Sequence, residues 1–157
     1  MKILISAIAF IVVTILSFNK TVFADDSVDS VEQQFTTLRA LNTTYAKCNH
    51  VATGSGITDK AAQIAQSKKL HSEMLTNHKK MVKLVLESEP KAFHFYTELM
   101  NADMLAAFFM GVNTAETNEM VKKDKESLHE KYNFDWRLTH TELWETYNCS
   151  GIYSNIK

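Results

Sequence analysis

The chain has 157 residues, with 17 basic and 18 acidic side chains and a formal charge of −1. That balance offers no positive field for nucleic acid or anionic lipid, so a nucleic-acid-binding role is set aside. Apolar residues make up 45% of the chain against four Gly and one Pro, a composition that favours a helical globular domain over a disordered or collagen-like chain.

The first 24 residues read as a cleavable secretory signal. Met1-Lys2 supplies a short positive start, and Ile3 to Leu16 is apolar except for Ser6 and Thr14. Val22-Phe23-Ala24 then places small residues at −3 and −1, ahead of Asp25-Asp26. The apolar run falls short of the roughly 20 residues a spanning helix needs. No cysteine lies in this segment to accept a lipid. Cleavage at Ala24 removes Lys2 and Lys20 and no acid, leaving 15 bases against 18 acids, a charge of −3, on 133 residues. That length suits one domain, 25–157, with no transmembrane segment and a periplasmic or secreted location.

Helical periodicity runs through the rest. Val28, Val31, Phe35, Leu38, Leu41, Tyr45 and Cys48 recur every three or four residues, predicting a helix from about Ser27 to Val51. Asp29 and Glu32 form a capping pair, and Thr53-Gly54-Ser55-Gly56 stops the helix. Thr58 caps a second helix ending near Ser88, with Ala61, Ile64, Leu70, Met74, His78, Met81, Leu84 and Val85 along its seam. Pro90 opens a third helix reaching Asn113. Its segment from Met104 to Met110 is apolar all round, which predicts a central position. Thr114 to Lys131 is heavily charged and reads as a solvated outer helix. A last helix runs from Trp136 to Asn148. The fold class is therefore all-α, a bundle of about five helices.

Cys48 and Cys149 are the only cysteines. In an exported protein an even count reads as a disulfide. A disulfide spans only about 4.4–6.8 Å between Cα atoms, whereas helices of this length separate the poles of a bundle by ~35–45 Å. The chain must then reverse direction an even number of times between the cysteines. Breaks at Thr53–Ile57, Glu89, Asn113 and Asn133 meet that condition, and the bridge ties the end of the first helix to the end of the last.

Motifs for chemistry are sparse. His71, Met74, His78 and Met81 follow a 3-4-3 spacing on one helix, and Met100 and Met104 are four apart. Imidazole and thioether are ligands for haem iron or copper, so a haem- or copper-binding bundle is the alternative reading, although no cofactor is predicted outright. Covalent haem attachment lacks its Cys-x-x-Cys-His motif. Glu126-x-x-His129 lacks the second copy and further glutamates that a di-iron bundle needs, and reads as charge pairing on a surface. His94 and Glu98 are one turn apart, the spacing of a helix-surface ion pair or, in a cleft, of an acid–base pair. No nucleophile elbow or phosphate loop is present, and no catalytic set is visible. The aromatics Tyr132, Phe134, Trp136, Trp144, Tyr147 and Tyr153 crowd the C-terminal stretch, either as a cap on the core or as a binding surface. Asn42-Thr43-Thr44 and Asn148-Cys149-Ser150 match the glycosylation acceptor pattern. The reading that follows is an exported helical module acting by binding. Its partner is an unidentified protein or a small apolar ligand, held at the Met104–Val112 segment or on the aromatic C-terminal helix.

Overall fold

A computed structural model describes residues 26–52, 59–88, 91 and 93–156, with side chains described from residue 30 onward. The expected signal segment 1–24, the Asp29 side chain, the expected stop at Thr53–Ile57, the expected cap Thr58, the expected break at Glu89 and Pro90 lie outside the described residues. The chain divides into two units, Met1–Ser30 and Val31–Lys157. Of the first, only the opening turn of a helix at 26–30 is described.

The described residues form six helices and no strand: α1 Asp26–Ala52, α2 Lys60–Ser88, α3 His94–Leu99, α4 Ala102–Lys131, α5 Trp136–Thr146 and α6 Cys149–Asn155. None is long and apolar enough to cross a membrane. Three of them are long, at 27, 29 and 30 residues, and side-chain pairs fix their directions. Asn42 meets His78 while Asn49 meets Ser67, so α1 and α2 run antiparallel. Thr43 meets Asn113, His50 meets Asn118 and Lys47 meets Asp124, so α4 returns parallel to α1. α5 packs on α4, and α6 on α5.

The core is built in three clusters along this bundle. Val82, Leu105 and Ala106 pack at one end, with Met100 and Phe109 against them. Ala46, Met74 and Met110 lie between. At the other pole Cys48, Val51, Ala52, Leu70, Val121, Leu143, Trp144, Cys149 and Ile156 form the largest cluster. Each large apolar side chain buried there contributes roughly 1.5–3 kcal/mol. Polar side chains interrupt the apolar layers: Asn42, Asn77, His78, Asn113 and Thr117 are all buried.

The Cys48–Cys149 bridge is formed, with Cα atoms 5.4 Å apart, and it joins α1 to the first residue of α6. The parity condition is met more economically than the sequence suggested. α2 and α4 supply two reversals, which return the chain to the pole where α1 ends.

Two boundaries differ from expectation. The break expected at Asn113 is absent and stands instead at Met100–Asn101. Met100 is extended, at φ −139°, and the Asn101 side chain accepts from the Met104 amide at 2.9 Å, starting α4 afresh. Asn113 stays helical because its amide points away from its own backbone, donating to Thr43 Oγ1 on α1 at 3.3 Å. The helix expected on the outside is consequently the second half of α4. Its inward stripe, Met110, Asn113, Thr117 and Val121, is buried, whereas Met104, expected in the centre, is 55% exposed. The last helix also ends early, at Thr146. Asn148 then adopts a left-handed conformation at φ 52°, and α6 begins.

Candidate functional site

The residues with the sequence signature of a His/Met ligand set are divided by the fold. Met74, His78 and Met81 are buried, while His71 is in solvent. The Nδ1 atom of His78 lies 2.9 Å from Asn42 Nδ2 and 2.8 Å from the Met74 carbonyl oxygen. It serves one at a time: bare, it accepts from Asn42; protonated, it donates to the carbonyl. Asn42 Nδ2 also reaches Met81 Sδ at 3.7 Å, and its Oδ1 accepts from Asn77 Nδ2 at 3.1 Å. Burial lowers the pKa of His78, opposed by the Met74 carbonyl, so this network favours neutral imidazole. Met100 packs on the core at the end of α3, and Met104 stands exposed on α4. Among the described residues no three His, Cys, Asp or Glu side chains are grouped to hold a metal ion.

His94 and Glu98 pair at 3.4 Å with both side chains well exposed. This is the surface ion pair of the two alternatives, worth a few tenths of a kcal/mol. The sequon Asn42 is fully buried, so its fold leaves no room for a glycan, whereas Asn148 is exposed.

The aromatic C-terminal stretch splits into two populations. Trp144 is buried and stacks on Tyr153 with ring centroids 5.2 Å apart, and its Nε1 donates to Ser150 Oγ. The Tyr147 hydroxyl donates to Asp124 Oδ2 at 2.5 Å, with Lys47 over its ring. Burial first, then Asp124, pushes the Tyr147 pKa up; burial alone pushes Tyr153 to about 12. Tyr132 is half-buried against Glu142. The rings of Trp144, Tyr147 and Tyr153 cap the core beside the disulfide. Phe134, Trp136 and Leu138 instead face solvent, with exposures of 65%, 58% and 48%.

That exposed group is held by unusual backbone. Asn133 and Phe134 have φ of 50° and 62°, a region that costs an L side chain roughly 1–2 kcal/mol. Asparagine tolerates it through its short polar side chain; phenylalanine has no such compensation. Asp135 follows as the N-cap of α5, its Oδ1 accepting from Arg137 and Leu138 amides at 2.9 and 3.1 Å. The turn is therefore pinned, and it presents Phe134 and the start of α5 outward.

Beneath it lies a cluster of basic side chains absent from any single-helix pattern. His50 Nδ1 is 2.9 Å from Asn118 Oδ1 and His50 Nε2 is 3.0 Å from Lys125 Nζ. With the ammonium donating to Nε2, the imidazole is neutral and carries its proton on Nδ1 toward Asn118. His140, buried on α5, places Nδ1 3.1 Å from the Val51 carbonyl oxygen. Trp136 meets the His129 ring edge-on at 3.9 Å and lies 6.3 Å from the His140 ring. His129 Nε2 is buried without a hydrogen-bond partner. Burial is the first cause lowering the pKa of His50, His140 and Lys125. Lys125 adds to it at both histidines, and His50 and His129 add at His140.

Together these features define a disulfide-bonded all-α bundle whose most distinctive surface is a strained aromatic turn over a basic pole. No family model, curated protein or solved structure matches the chain.

Proposed function

We propose that the protein is exported after cleavage at Ala24 and acts by binding a protein partner through the turn joining α4 to α5. The observation that carries this reading is Phe134, an exposed phenylalanine in a left-handed conformation beside exposed Trp136 and Leu138. Backbone strain of this kind persists where the surrounding structure imposes it, and it clusters at functional sites. Rings exposed by more than half cannot enclose a small ligand, but they fill a partner's pocket well, as aromatic anchors do at interfaces. Export is supported by the signal-like first 24 residues and by a disulfide, which persists in oxidising compartments.

A photo-crosslinking residue at Leu138 tests the surface in the producing cell. A discrete adduct is expected there, absent when the same probe replaces exposed Lys123. Phe134→Gly is expected to abolish the adduct without loss of stability, because glycine adopts positive φ freely. Equal adducts from both probe positions, or an adduct indifferent to Phe134→Gly, would refute the surface. Export is checked separately by the N-terminal sequence of the purified protein. Asp25 is expected first; retention of Met1 refutes cleavage.

A further inference from the structure

Where α4 meets α1 at the basic pole, the side chains are arranged as a nucleophile and its base. Lys125 Nζ donates to His50 Nε2 at 3.0 Å, and His50 Nδ1 lies 2.9 Å from Asn118 Oδ1. With Nδ1 engaged by that amide oxygen, Nε2 is the bare nitrogen of the ring. An amine bonded to a base that is itself held by a third group is the arrangement from which side chains attack electrophilic carbon. Lys125 is half-buried rather than enclosed.

No ion pair ties Lys125 to a carboxylate among the described residues. Asp124 of α4 pairs with Lys47 of α1 and accepts from Tyr147, and Glu142 of α5 holds Lys131 and Tyr132. Glu126 and Glu130 stand exposed on α4. His129 follows Lys125 by one helical turn, and His140 of α5 feels Lys125, His50 and His129 together, so the amine's charged surroundings are basic. We propose that Lys125 is a reactive amine that captures a small anionic carbonyl compound, an aldehyde or oxo acid carrying a carboxylate, as an imine, with His50 as its base. This inference does not depend on the binding reading above.

Such an amine must first lose its proton. Burial lowers the Lys125 pKa below the ordinary lysine value, because an ammonium leaving water without a carboxylate partner is disfavoured against the neutral amine. An ordinary lysine is deprotonated to well under about 1% at about pH 8, and each unit of lowering raises that fraction about tenfold. Once neutral, the amine keeps one N–H on His50 Nε2 and has its lone pair to spare. That pair forms the bond to the carbonyl carbon while the C=O π pair moves onto oxygen. His50 Nε2, already within hydrogen-bonding distance, takes the proton shed by the attacking nitrogen and returns it to that oxygen. The second amine proton follows when the carbinolamine dehydrates, so both leave with the carbonyl oxygen as water. Amine and carbonyl compound become imine and water, with nothing oxidised or reduced. A carboxylate on the same molecule meets imidazoles there and no acid, which is the basis of the anionic preference.

On the full mature chain with its disulfide intact, glyoxylate at about pH 8 with excess cyanoborohydride fixes the imine as a stable secondary amine. Peptide mass spectrometry then locates it. Initial labelling of Lys125 is expected to exceed that of exposed Lys123 by at least about tenfold, although burial alone would slow it. Acetaldehyde, which lacks the carboxylate, is expected to favour Lys125 less. His50→Gln keeps a hydrogen-bond acceptor but no base, and is expected to slow Lys125 by at least about tenfold while leaving Lys123 unchanged. Labelling of Lys125 no faster than that of Lys123 overturns the proposal on the unaltered protein alone. A Lys125 rate indifferent to His50→Gln overturns the role of His50, and equal selectivity with acetaldehyde overturns the preference for an anion.

Discussion

Asn42 is fully buried, yet its amide is engaged on both sides, accepting from Asn77 and lying against His78 Nδ1 and Met81 Sδ. Asn42→Ala removes the partner of two buried polar groups and leaves a cavity. A buried group stripped of its partner costs about 1–3 kcal/mol, so a loss of about 2–3 kcal/mol is expected as a lower urea midpoint at unchanged slope. A change below about 0.5 kcal/mol, the usual range of a surface substitution, would show that the network contributes nothing net. In the sequence Asn42 is only half of a glycosylation pattern, because a polar residue inside an apolar stripe looks like a gap in that stripe. The same blindness hid the basic pole. Spacing along one helix is visible in a sequence, which is why His71–His78 and His94–Glu98 stood out there. His50, His129 and His140 come from three helices and share no spacing. The cue that was available was composition: six histidines and no motif to use them.

Among the elements, the ends of the helices decided more than their interiors. Periodicity placed α1 within a residue at each end and located the break at Asn133, since an amphipathic stripe is a local property of the chain. It misplaced the break between α3 and α4, because Asn113 and Asn101 look alike until a partner is known. Asn113 finds Thr43 across the bundle, and Asn101 finds the Met104 amide in its own turn. The charge of the second half of α4 likewise concealed its inward face, which small polar Asn113 and Thr117 complete. Asp135 is the cap on which α5 depends, with two amide donors on one carboxylate oxygen. Asp135→Ala is expected to cost about 1 kcal/mol in thermal or urea unfolding, and Asp135→Asn to recover most of it, since asparagine caps equally well. If alanine and asparagine prove equally destabilising, charge rather than capping holds the turn.

For the whole molecule, one covalent bond supplied most of what the sequence said about topology. Pairing Cys48 with Cys149 demands that the chain come back to the pole it left. It does so with three long helices, after which α5 and α6 close over that pole. The count of about five helices set the break between α3 and α4 twelve residues late and did not anticipate the short α6, because the parity argument constrains direction and is silent on length. The same bond links residues 101 apart in sequence, so it removes much of the freedom of the unfolded chain. The chain-entropy treatment gives ~4.7 kcal/mol for a loop of this size, and measured losses for native bridges fall at about 2–5 kcal/mol. Both cysteines are fully buried among Val51, Leu70, Val121 and Leu143, so alanine at both positions loses two sulfur atoms of packing as well as the crosslink. Urea unfolding of the native chain, of the reduced chain and of Cys48→Ala/Cys149→Ala separates these contributions. Reduction alone is expected to lower stability by about 2–5 kcal/mol, and the double alanine variant by somewhat more. A steeper urea slope without the bridge is the accompanying sign, because a freed unfolded chain exposes more surface. A reduced protein as stable as the oxidised one would mean that α6 and Ile156 hold the pole by packing alone.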